Sequence, residues 1–453
     1  MRPKGNKMGI LPIPKLILTM SLPAILSMMV QALYNVVDSI FVAQINEEAI
    51  TALSLAFPIQ LVIVACFVGM GVGISSSISR KLGANDIKGA VMTAEHGFLL
   101  GAILYAFIMA LGILLARYFF EMFTDDALII QYGFDYLIVI MLFSFGRIFA
   151  QAGISIYQGS GEMVIPMVAQ LIGAVINIVL DPLFIFGYAG LPAMGVKGAA
   201  IATVLAQILS MVFVWLCLVK FKRVMTLNPK GFKFNRDIMK QILFVGLPAA
   251  AMQALASVML VGLNLILASF TTTAIAVLGI YFKLQSFVFM PVFGLSQGLM
   301  PIVGFNYGAK NKERVTQAIS IALVMAVSYM TLGLIIFQGF TDELILLFNG
   351  TADMLEIGRV AFKTISIGFP LAAVSIVIST AFQGLGDAYL SMTAAFIRQI
   401  VVLLPLAAIL GHFYGIDAVW LSFIIAEVVG LSFVLGFYRR TYVKKIAVLE
   451  EKI

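Results

Sequence analysis

Two aspartates fall inside long apolar stretches, Asp38 in 15–43 and Asp181 in 164–188, and each is accompanied at helical spacing by oxygen-bearing side chains. Asn177 precedes Asp181 by one helical turn and shares its face, while Gln31, Tyr34 and Asn35 continue the face of Asp38. Thr203 lies in the next apolar stretch; counted from the ends of their helices at 1.5 Å per residue, all three positions are roughly 8 to 12 Å deep. They can therefore share one layer of a membrane. An aspartate in hydrocarbon costs about 2.5 to 3.5 kcal/mol and is kept where it faces protein or a water-filled cavity. Two acids with amide and hydroxyl oxygens can hold a proton between them, because close carboxylates in a low dielectric cannot both stay ionised. The same oxygens would coordinate sodium. A hydrogen-bond network that only ties the helices together is the structural alternative.

The elements that must position these groups are visible as a repeat. Residues 12–172 read a second time 225 positions later without a gap: Leu22-Pro23 against Leu247-Pro248, Gly69, Gly73 and Gly83 against Gly294, Gly298 and Gly308, and Gln158-Gly159-x-Gly161-Glu162 against Gln383-Gly384-x-Gly386-Asp387. The chain is 62% hydrophobic and 11% charged over 453 residues, so a duplicated unit of this kind points to an all-α membrane protein built from two structural repeats. Apolar stretches predict twelve transmembrane helices, near 15–43, 49–79, 90–117, 128–157, 164–188, 195–219, 241–270, 275–307, 315–338, 354–382, 389–411 and 416–438. The expected division is an N-terminal lobe over 1–219, a basic linker over 220–240, and a C-terminal lobe with a tail over 241–453. Six helices per copy is an even number, so the two repeats are parallel in the membrane. Pro23 and Pro248 lack the N–H that closes a helical turn and predict kinks in their helices.

Charge sorts the loops. Arg2, Lys4, Lys7 and Lys15, then Arg80, Lys81 and Lys88, the linker lysines and arginines, Lys310, Lys312 and Arg314, and the tail residues Arg439, Arg440, Lys444 and Lys445 all fall on one side. The other side carries Glu47, Glu48, Glu121, Asp125, Asp126, Asp342 and Glu343. The positive-inside rule then places both termini and the linker in the cytoplasm of a multi-pass protein of the plasma membrane. Topogenesis accounts for the net charge of +7 without nucleic acid.

Symmetry also shows which polar groups are not scaffold. Asp38 aligns with Leu263 and Asp181 with an apolar residue, so the two acids belong to one copy. Lys283 would line a cleft or snorkel outward, Met259 is among methionines that would give an adaptable wall, and Arg147, Arg398, Glu95 and Glu427 are expected to form helix–helix pairs or to lie near boundaries. Cys66 and Cys217 fall in apolar helices as small packing residues, and His96 and His412 have no metal-ligand neighbourhood. No nucleophile–base pair, metal cluster, aspartate-rich diphosphate motif or Gly-x-x-x-x-Gly-Lys-Ser/Thr loop occurs, which argues against an enzyme or a nucleotide-driven pump.

The combination of Ser21-Leu22-Pro23, Gln31-Ala-Leu-Tyr-Asn-Val-Val-Asp38, Asn177-Ile-Val-Leu-Asp181-Pro182 and Gly195-Val-Lys-Gly-Ala-Ala-Ile-Ala-Thr203 resembles the multidrug and toxic compound extrusion family over essentially the whole chain. The resemblance implies two six-helix lobes forming a V-shaped cleft. It implies export of organic cations or amphipathic drugs in antiport with H+ or Na+, with no cofactor. It further implies a coupling-cation site at Asp38, Asn177, Asp181 and Thr203, with Gln31, Tyr34 and Tyr136 as neighbours and Pro23 as the bending point of the first helix. Ala256 and Leu371 stand where one branch of the family has acids, which places this chain nearer the DNA-damage-inducible and Gram-positive exporters and leans toward protons. A cleft complete within one chain implies a functional monomer surrounded by membrane lipid. The alternative within the same superfamily, a flippase for a lipid-linked precursor, would call for a strongly cationic cleft, and few basic residues are available for one.

Overall fold

The computed structural model describes residues 6–220, 227, 231–348 and 350–449, without the side chains at 35, 36, 38–40, 43, 47 and 189. The described residues are helical throughout and contain no strand. A short α1 (Lys7–Ile10) precedes α2 (Ile13–Ala43), α3 (Glu47–Gly83), α4 (Ile87–Glu121), α5 (Ala127–Leu142), α6 (Phe145–Gly159), α7 (Val164–Phe186) and α8 (Gly195–Lys220). The second copy runs through α9 (Arg236–Ala268), α10 (Thr272–Gly308), α11 (Lys312–Gly339), the short α12 (Thr341–Leu346), α13 (Ala352–Ser366), α14 (Phe369–Leu385), α15 (Ala388–Phe396), α16 (Leu404–Tyr414) and α17 (Ile416–Thr441). Among the described residues ten helical segments, one of them α15 to α16 joined by a π-helical stretch, are long and apolar enough to cross a membrane, and two bent pairs, each taken as one span, bring the number to twelve.

The repeat is written into the helix starts. Asn46, Asp86 and Asp126 cap α3, α4 and α5 by accepting from the backbone N–H of Ala49, Gly89 and Leu128, each at 2.8 Å. At the same offset Thr271, Asn311 and Thr351 cap α10, α11 and α13. Each cap satisfies an orphan donor of the first turn and contributes about 1 kcal/mol. Helix ends correspond as well. Asn85 and Lys310 take left-handed backbone angles, φ 61° and 56°, and Gly161 and Gly386 do the same at 88° and 87°. The reversals after α3 and α10 thus turn on Asn85 and Lys310 rather than on the preceding glycines.

Two expected spans are not single helices. The stretch 128–157 breaks at Phe143–Ser144, where α5 and α6 meet at 44°, and 354–382 breaks between α13 and α14 at 46°. In the first break the Ser144 hydroxyl donates to the Met141 carbonyl at 2.9 Å and competes with the regular ladder. In the second, Pro370 stands in the first turn of α14, where its missing N–H is tolerated and the preceding helix cannot continue through it.

Packing divides the chain into two units, Leu26–Ala250 and Met1–Ile25 with Ala251–Ile453. The chain passes between them inside helices, two residues beyond Pro23 in α2 and two beyond Pro248 in α9. In the first unit α9 lies against α3 so closely that a Cβ on Gly73 would stand 2.3 Å from the Ile242 carbonyl oxygen. In the second, α2 lies as closely on α10, with Gly294 meeting Ile25 and Gly298 meeting Ser21. Glycine is what permits these approaches.

The segments leading into both crossing helices are docked within their units. Arg314 donates to the carbonyls of Met8 (3.0 Å) and Leu11 (2.8 Å) and to Asn306 Oδ1 (2.9 Å), fixing α1 on α11. His96 Nε2 accepts the N–H of Asn235 at 2.7 Å, while Phe232 and Phe234 lie against its ring. Most of the linker between Lys220 and Gly231 lies outside the described residues.

Candidate coupling-ion site

Helices α7 and α8 form an antiparallel pair whose geometry fixes the site. At one end Gly198 abuts the Phe184 carbonyl, where a Cβ would come within 2.4 Å of the oxygen. At the other, the Ser210 hydroxyl donates to the Ala169 carbonyl at 2.8 Å. Between these pins Asn177 Nδ2 donates to Asp181 Oδ1 at 3.0 Å and reaches Thr203 Oγ1 at 3.4 Å. Asp181 is 0% exposed and Asn177 2%.

Because the amide nitrogen faces the carboxylate, the Asn177 carbonyl oxygen points elsewhere; it is sealed from solvent and accepts no hydrogen bond among the described residues. A buried acceptor left open in this way costs about 1 to 3 kcal/mol, the situation a proton-bearing group or a cation would relieve. Pro182 follows Asp181 inside α7 and has no N–H to offer the Ile178 carbonyl, so another backbone oxygen is released on the same stretch. Sequence reading passed over this oxygen although the signal, a proline inside a helix beside a buried acid, was present. Carboxylate, amide, hydroxyl and carbonyl oxygens are hard ligands suited to a proton or an alkali cation, and the described residues hold no cluster of His, Cys, Asp and Glu of the kind that binds a transition metal.

The other expected site residues are distributed as follows. Asn35 and Asp38 lie on α2 of the same unit, their side chains outside the described residues. Gln31 and Tyr34 are half-buried on α2, and Tyr136 is buried on α5, which packs against α8. Met259 and Lys283 belong to the other unit; Lys283 is exposed, with its ammonium 5.9 Å from the centre of the Phe348 ring.

The remaining intramembrane charges separate into two kinds. Arg398 donates to Glu427, an ion pair between the π-helical stretch Ile397–Leu403 and α17. Arg147 departs from the expectation of a helix–helix pair: it makes no ion pair among the described residues, and its guanidinium lies 4.7 Å from the centre of the Phe67 ring. A desolvated cation–π contact contributes about 2 kcal/mol. An arginine in the middle of a span costs about 2.5 to 3.5 kcal/mol, so the stack alone does not account for Arg147.

This geometry sits in a chain with many relatives. An FAD transporter of Shewanella oneidensis is 26% identical over 411 residues, 91% of either chain. The multidrug export protein MepA of Staphylococcus aureus is 26% identical over 426 residues, 92% of this chain and 91% of its own. Among solved structures, an outward-facing multidrug resistance MATE family transporter of the MOP superfamily matches with a TM-score of 0.92 at 27% identity over 98% of both chains. A MOP superfamily transporter of Pyrococcus furiosus, described as having a binding pocket of reversed polarity, matches with a TM-score of 0.91 at 27% identity over 99% of both. The MatE family profile matches residues 23–183 and 248–409, one match in each copy of the repeat, and the chain belongs to this family of multi-pass membrane transporters.

Proposed function

We propose that the chain is a secondary antiporter that exports organic cations and amphipathic drugs from the cell by alternating access, driven by inward movement of protons or sodium. The observation that carries this reading is the buried Asn177–Asp181–Thr203 oxygen cluster, present in one copy of a duplicated scaffold. A group required for packing would be expected in both copies, and the acid is not.

On this reading Asp38 supplies a second carboxylate to the pocket, and cation binding there couples to α2, whose bending point is Pro23. Occupation of the site by the coupling ion favours release of drug outside; its discharge inside resets the site. Protons are favoured over sodium because Ala256 and Leu371 leave no acid at the corresponding positions of the second copy. The charge distribution of the loops supports cytoplasmic termini in a plasma-membrane protein, and on this reading one chain would carry out transport. Since one relative is an FAD transporter, FAD belongs in the substrate panel beside the drugs.

The test is dye efflux from proteoliposomes under an imposed proton gradient and then a sodium gradient, with wild type, Asp38→Asn and Asp181→Asn side by side. Gradient-driven efflux that both substitutions abolish, with protein still in the membrane, supports the assignment and names the ion. Normal efflux by both variants overturns it.

A further inference from the structure

We infer that Arg147 is an anion-recognition residue, and that the transporter takes aromatic substrates bearing a carboxylate in preference to the same molecules with that acid masked. The inference rests on the exporter reading and narrows its substrate class.

Arg147 is the third residue of α6, immediately past the 44° bend from α5. The first turn of a helix is the end at which a cation gains nothing from the backbone dipole. The bend itself is scaffold, because α13 and α14 reproduce it at 46°. The arginine is not: its partner 225 positions on is Ala372, 2% exposed. Whatever Arg147 does, the second copy bends and packs without it.

The side chain faces inward. Gln151 and Ser155, one and two turns further along α6, pack on Gly71 of α3, and the guanidinium lies over Phe67 of the same helix, a ring only 3% exposed. None of its nitrogens donates to an acceptor among the described residues, and the residue is half-buried, so its donors are unspent among them.

An arginine held this way has a defined chemical use. With its central carbon over the Phe67 ring, the guanidinium carries the two parallel N–H donors of the fork that matches a carboxylate. Phe67 supplies aromatic surface beside the guanidinium, so an aromatic ring and its acid can be engaged together. A lysine at the same place would supply charge without the fork.

Rhodamine B and its ethyl ester provide the probe pair, since they share the aromatic system and cationic xanthene and differ in a free carboxylate. Binding to purified wild type, measured by fluorescence anisotropy, should favour the acid over the ester. In proteoliposomes the acid-to-ester transport ratio should fall about tenfold or more in Arg147→Gln, the loss expected for a charge-assisted hydrogen bond, and less in Arg147→Lys. An unchanged ratio in Arg147→Gln, or wild type that binds the ester as tightly as the acid, overturns the inference. The binding comparison needs no variant and stands even if Arg147→Gln fails to insert. If neither dye moves under any gradient, it is the exporter reading that fails, and the binding preference still decides the role of Arg147.

Discussion

Replacing Asn177 by leucine keeps the side-chain volume and removes both the donor to Asp181 and the unpaired carbonyl oxygen. The donor bond is 3.0 Å long between residues 2% and 0% exposed, so it stabilises the ionised carboxylate with little competition from water. A hydrogen bond to a charged group contributes about 1.5 to 3 kcal/mol. At 1.36 kcal/mol per pH unit that is about one to two units, or about 10- to 150-fold in affinity. The contact to Thr203 is 3.4 Å, near the long limit, so Thr203→Val should change the same quantity by about tenfold at most.

The assay is efflux from proteoliposomes as a function of coupling-ion concentration. If protons drive transport, the midpoint of the pH profile of Asn177→Leu moves upward by about one to two units, because the carboxylate has lost the donor that favours its ionised form. If sodium drives it, the half-saturating concentration rises about tenfold through loss of an oxygen ligand. The reasoning is refuted if Thr203→Val shifts the midpoint more than Asn177→Leu, or if neither moves it in properly inserted protein.

Three further outcomes follow from the packing and the charges. Gly73→Val should lower stability by about 3 kcal/mol or more, because the new Cβ meets backbone, whereas Gly436→Val, whose Cβ meets nothing, should not; equal melting temperatures in detergent would contradict this. Removing one partner of the Arg398–Glu427 pair should cost up to about 3 kcal/mol, with much of the loss recovered in the double variant Arg398→Leu/Glu427→Leu, as read by thermal unfolding. At the surface, the Arg359 guanidinium donates to both carboxylate oxygens of Asp342 and holds its carboxyl below the usual carboxylate range. That small stabilisation is present above the ordinary carboxylate range and lost as pH falls through the lowered value, so Arg359→Gln should raise the Asp342 midpoint in a carbon-13 titration of labelled aspartate; an unmoved midpoint argues against the pair in solution.

The twelve spans and the Asn177–Asp181 pair were legible in the sequence because hydropathy and a four-residue spacing are local properties. Thr203 came within reach through helix depth and family resemblance. The break at Phe143–Ser144 was not legible: no proline interrupts that stretch, its glycines at 133, 146 and 153 do not single out one position, and a serine hydroxyl taking the Met141 carbonyl looks like any polar residue in a span. Pro370, by contrast, stood in plain view inside the expected helix 354–382. Glycines at 69, 73, 294 and 298 announced close approach but not the helix that makes it, since a missing side chain carries no record of its neighbour. The setting of Arg147 is likewise a property of surroundings: neither its place over Phe67 nor its lack of an ion pair among the described residues is written in the local sequence.

The exchange of helix ends has a consequence for how the molecule can be completed as it is synthesised. When α8 has left the ribosome, the groove at Gly69 and Gly73 on α3 is still empty, and the residues that fill it, Ile242 to Ala250, arrive only after the linker has been made. The opening residues through Ile25 wait longer, until α10 presents Gly294 and Gly298. Neither unit can finish from its own copy of the repeat, so severing the chain at the linker would leave each fragment carrying the piece that the other lacks, and the duplication is held together as an obligate pair by steric need on both sides.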